Sequence, residues 1–199
     1  MNRAIKSFVS LAAACLAAGS SVGATIDFET VSQGIYTELT VAGITFTRGG
    51  QSFGAVDWGF PSDAFSGISL GPWYPYRTLP QADVAFRAEI DGGFSSFSIG
   101  MGDNGTDEDQ GRLEAYDAQG NLLDSDSLSI ASGVAGGGFM SVSSTTPIAY
   151  VLFYELGSFP GVVAWDNVSF ASAVPEPQTA VLLGAGLAAA GWFARRRRS

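Results

Sequence analysis

The chain is 199 residues long, 46% apolar and only 15% charged, with 26 glycines, eight prolines and a formal net charge of −9. That is enough chain for one domain with a real core and too apolar for disorder, and its glycine content suits strands joined by turns better than a helical bundle. With no histidine and a single cysteine, Cys15, it lacks the residues of the usual zinc sites, catalytic dyads and disulfide frameworks.

The charge is segregated. Arg3 and Lys6 precede an apolar stretch from Phe8 to Ala18, and Val22-Gly23-Ala24 supplies small residues for cleavage, so residues 1–24 are expected to be a secretory signal peptide that uses the Sec export machinery. Cys15 falls within it as a bystander. All nineteen acidic residues lie between Asp27 and Glu176, and Arg195, Arg196, Arg197 and Arg198 close the chain. Without its two ends the body keeps four arginines against eighteen carboxylates, a net charge of −14. Such a surface repels nucleic acid and anionic lipid and accepts neutral glycans, cationic partners or divalent metal.

Along the body, apolar and β-branched runs predict strands over 25–28, 41–47, 82–90, 94–101, 113–116, 122–130, 139–142, 148–155 and 162–170, separated by glycine-rich turns. In 148–154 both parities are apolar, as in a central strand covered on both faces, whereas 97–101 alternates, as a strand with one wet face does. Asp117-Ala118-Gln119-Gly120-Asn121 reads as the turn of a hairpin. Nine short strands in 25–173 predict an all-β, jelly-roll-like two-sheet β-sandwich.

Two candidate sites stand in this body. Residues 51–80 read as an aromatic loop, in which Trp73, Tyr74 and Tyr76 either cover the end of the sandwich or form a platform for sugar rings. The loop 102–111 carries Asp103, Asp107 and Asp109 between glycines, which is either a solvated acidic turn or a weak oxygen-rich site for Ca²⁺. Asp27-Phe28-Glu29 opens the domain and Trp165-Asp166-Asn167 closes it, and first and last strands often lie side by side in sandwiches.

At the C-terminus, Val174-Pro175-Glu176-Pro177 precedes an apolar run from Thr179 to Ala194 and then the arginine cluster. The prolines fix an extended stretch. Sixteen residues of helix reach about 24 Å, somewhat short of a hydrocarbon core of roughly 30 Å, and the arginines would hold the following end on the cytoplasmic side. This tail resembles the PEP-CTERM sorting signal of Gram-negative bacteria. That resemblance implies that 174–199 anchors an exported protein in the inner membrane until an exosortase cleaves near Val174, Pro175, Glu176 and Pro177, leaving the body at the cell surface or in an exopolysaccharide matrix. The two terminal acidic motifs of the body also resemble carbohydrate-binding-module jelly rolls, which implies a structural Ca²⁺ on Glu29 and Asp166, with Asp27 as a further ligand.

The expected function is that of a non-enzymatic surface or matrix protein. The alternative is a carbohydrate-binding module with a structural calcium site that contacts extracellular polysaccharide, and a hydrolase working with two carboxylates is a more distant third.

Overall fold

The computed structural model describes residues 23–57, 67–72, 84–103, 108–134, 136–156 and 163–173. The expected signal segment up to residue 22, the aromatic residues Trp73, Tyr74 and Tyr76, Asp107, and the whole tail from residue 174 lie outside them. So does the side chain of Asp103.

The described residues are all-β, with eleven strands and no helix among them. They are β1 (Ala24–Ile26), β2 (Gly34–Tyr36), β3 (Glu38–Val41), β4 (Ile44–Thr47), β5 (Phe53–Asp57), β6 (Ile68–Pro72), β7 (Phe86–Asp103), β8 (Asp109–Tyr116), β9 (Leu122–Ile130), β10 (Gly136–Leu156) and β11 (Ala164–Ser172). The expected strand over 41–47 is instead the end of a hairpin. Ala42 and Gly43 both take positive φ, 49° and 83°, and turn β3 back as β4. This is the backbone hand that matches the twist of paired strands. Three short strands, β2, β5 and β6, occupy stretches that carry little alternation.

β7 and β10 are long antiparallel partners that each serve two layers. Residues 86–90 of β7 and 150–153 of β10 stand between β4 and β8, with β3 and β9 beyond. Residues 94–102 of β7 continue between β11 and residues 136–143 of β10, while β6, β5 and β2 follow β11 in turn. The switch falls at Gly92 and Gly93, with φ of 83° and 79°, opposite a register shift between Ser143 and Ile148 in β10. Glycine and bulges at sheet corners bend strands in this way.

Alternation then sets the core. Phe86, Ala88, Phe97, Ile99, Met101, Met140, Val142, Val151 and Phe153 all point inward and are buried. Contacts between strands that share no ladder join the layers: Phe153 of β10 meets Trp165 of β11 edge-on at 5.1 Å, and Phe86 of β7 meets Phe53 of β5 at 5.4 Å. Each such side chain contributes about 1.5–3 kcal/mol relative to exposure. β10 is central, as its sequence predicts, yet Tyr150, Leu152 and Tyr154 are only half-buried on its outer face. Both parities are apolar there because neighbouring side chains, and not a further layer, cover the tyrosine rings.

Candidate functional site

β1 pairs with β11, Ile26 opposite Val168, so the first and last strands lie side by side as expected. Just beyond Ile26 the backbone takes φ of 55° at Phe28, which buries that ring and leaves Asp27 and Glu29 exposed on either side of it. The N–H of Glu29 donates to Asp27 Oδ1 at 3.2 Å, and Glu29 Oε1 accepts the N–H of Ile68, 3.0 Å away, at the start of β6. Gly67, with φ of 91°, lies so close beneath this carboxylate that a Cβ there would overlap it.

Asp166 faces the pair from β11. It is only 2% exposed, and its Oδ1 accepts the N–H of Asn167 at 2.6 Å, in a bulge where Asn167 takes φ of 52°. Burial pushes its carboxyl up to about 7; the Asn167 N–H opposes this, and the charges of Glu29 and Asp27 add to it. The fold thus places Glu29 and Asp27 within electrostatic reach of Asp166.

This arrangement suits a proton or a hard cation, since every side-chain donor is a carboxylate oxygen and a cation would relieve both the burial of Asp166 and the mutual repulsion. Among the described residues, however, no three Asp, Glu or Cys side chains form a group that could hold a metal ion.

Asp109 differs from the expectation of a loop ligand. It opens β8 opposite Ile130 and is buried, because the parity of β8 turns it inward with Gly111, Leu113 and Ala115.

A second polar constellation lies on the outer face of the layer that contains β4, β7, β10 and β8. The Arg87 guanidinium sits over the Tyr150 ring, 3.7 Å from its centroid, and reaches Glu89 Oε2 through Nη2 at 2.7 Å and Nε at 2.9 Å. Tyr150 stacks on Tyr116 at 5.1 Å and 13°. The Tyr116 hydroxyl donates to Glu114 Oε2 at 2.7 Å, and Arg112 joins Glu114 to Ser125. The hydrogen bond to Glu114 is the main reason the Tyr116 phenol is raised to about 12; burial and the carboxylate charge add to it. The signal for this network was Arg-x-Glu at 87–89 and again at 112–114, because residues two apart share a strand face.

No curated protein sequence matches the chain. Among solved structures it is similar to the K1 cleaved adhesin domain of Lys-gingipain from Porphyromonas gingivalis W83, at 10% identity and TM-score 0.51 over 76% of this chain and 99% of that one. It is also similar to the K3 domain of the same protein, at 16% identity and TM-score 0.49 over 75% and 98% of the two chains. A family 6 carbohydrate-binding module aligns at 13% identity and TM-score 0.34 over 75% and 94%. The first of these likenesses shows a shared β-sandwich fold. Residues 173–198 match the PEP-CTERM protein-sorting motif, which is consistent with a PEP-CTERM domain-containing exported protein and implies processing at the membrane.

Proposed function

We propose that the chain is a non-enzymatic surface or matrix protein of a Gram-negative bacterium, anchored in the inner membrane by its tail and released by an exosortase near Pro175. The motif at 173–198 carries this reading. Its position supports it. β11 ends at Ser172, and the N–H of Ala173 donates to the Gly93 carbonyl at 2.9 Å, so among the described residues the body is hydrogen-bonded up to the position where the motif begins. The absence of histidine, and of any cysteine beyond the leader, favours a non-catalytic role. Expression of the full-length chain in a host with an exosortase tests the reading: mass spectrometry is expected to find a released form ending near Pro175, and an arginine cluster retained on the released protein would refute it.

The buried Asp166 favours a second element of this reading, a jelly-roll body with a structural Ca²⁺ on Glu29 and Asp166 that fastens β1 to β11. Calcium is expected to raise the melting temperature of the protein, and Asp166→Asn to abolish the rise. Equal melting curves in calcium and in EDTA would remove the metal.

A further inference from the structure

A cleft of about 630 Å³ opens beside the aromatic stack, between the β3–β4 hairpin, the corner of β7 and the β8–β9 turn. Thr40 and Thr45 form one wall, with their hydroxyls 3.0 Å apart, and Glu89 and Asp91 supply carboxylates. Ile90 and Pro147 add aliphatic surface. The volume is that of a small-molecule site, and a few placed polar groups among apolar ones is the composition such sites show.

We propose that this cleft binds a segment of a neutral polysaccharide. The proposal rests on the reading that the protein works outside the cell and adds the ligand class and its site. Hydroxyl and carboxylate acceptors pair with sugar hydroxyls, and the apolar C–H faces of a pyranose pack on the aliphatic wall. Charge excludes the acidic alternatives, because Glu89 and Asp91 repel uronates, sulfates and phosphates. A cationic ligand would have to compete with Arg87, which already holds Glu89 through two nitrogens, and would find one further lining carboxylate, that of the exposed Asp91. The same clamp fixes the carboxylate before any ligand arrives. Arg87 is pinned between Glu89 and Tyr150, and Tyr150 is in turn stacked on Tyr116, which reduces the ordering cost of binding.

Isothermal titration of the full-length chain in detergent with cellohexaose, xylohexaose, mannohexaose and maltohexaose tests the proposal, with hexagalacturonate and spermidine as charged comparators. At least one neutral hexasaccharide is expected to bind, and Glu89→Gln and Thr45→Val are each expected to weaken it tenfold or more with the melting temperature unchanged. No heat from any neutral sugar at millimolar concentration, preference for hexagalacturonate or spermidine, or binding indifferent to both variants would overturn it. Loss of sugar binding in a protein still trimmed near Pro175 removes the cleft and leaves the export reading intact; binding by a chain that is never trimmed does the reverse.

Discussion

The carboxylate of Asp126 in β9 accepts the main-chain N–H of Ser141 in β10 at 2.9 Å, and Asp124 does the same for Ser143 at 2.9 Å. Each aspartate also takes the N–H of the next residue of its own strand on its other oxygen, Ser127 for Asp126 and Ser125 for Asp124. Two side chains thus stand in for a strand along an edge of β10, where unpaired N–H groups would otherwise template pairing with another chain. In the double variant Asp124→Ala/Asp126→Ala, the amides of Ser141 and Ser143 are expected to lose hydrogen-exchange protection and the protein to associate with rising concentration. The expected cost is about 1 kcal/mol per bond, read from thermal melts and size-exclusion chromatography. Unchanged exchange at both amides would contradict the edge role.

Asp166 is expected to make stability fall with rising pH. Its folded pKa, about 7, lies above the ordinary carboxylate value, so between pH 4 and 7 the folded state binds a proton that the unfolded chain releases. In EDTA, this group's contribution is expected to be best below pH 4, to decline by about 1.4 kcal/mol per pH unit across the window, and to level off above 7. Asp166→Asn keeps an acceptor for the Asn167 N–H and removes the titration. Denaturant melts are expected to show the variant more stable than the parent at pH 8, with the gap closing at pH 4.

The corner of β7 separates two costs of adding a methyl group. At Gly92 a Cβ meets nothing within 4 Å, so Gly92→Ala bears only the strain of φ at 83°, about 1–2 kcal/mol. At Gly93 the Cβ would lie 2.7 Å from the carbonyl oxygen of Ile148, with φ at 79°. Gly93→Ala is therefore expected to melt several degrees below Gly92→Ala, a difference that differential scanning calorimetry resolves.

Tyr116 is expected to ionise near pH 12, about two units above an ordinary phenol. Spectrophotometric titration checks this, and Glu114→Gln, which removes the charged acceptor, is expected to bring the late-titrating component down. A titration in which all tyrosines ionise together near pH 10 would rule out the hydrogen bond as placed.

Local chemistry made much of this molecule legible. Alternation in Phe97-Ser98-Ile99-Gly100-Met101 marked the inward face, and Phe97, Ile99 and Met101 are buried, but the other face is less wet than expected, with Ser98 half-buried and Gly100 buried. The β8–β9 turn was readable because Asp117 can satisfy amides within its own loop, and its carboxylate does accept the N–H groups of Gln119 and Asn121, which, with the Asn121 side chain, hold its pKa below the ordinary range. The adjacency of the first and last strands was legible as well, with Ile26 of β1 opposite Val168 of β11. Short strands such as β2 and β6 left no such trace, because three to five residues carry too little period to separate from a loop.

By itself the sequence determined the sorting motif and the class of fold: the tail motif, the acidic body and the strand-forming runs are each written in contiguous residues. Tertiary structure decided what happens between segments. It made single long strands of 86–103 and 136–156, bent β7 at Gly92 and Gly93, turned Asp109 inward, buried Asp166 and stacked Arg87 on Tyr150. The physical reason is that parity gives the face on which a side chain stands, whereas which strands become neighbours depends on hydrogen bonds closed over long sequence separations.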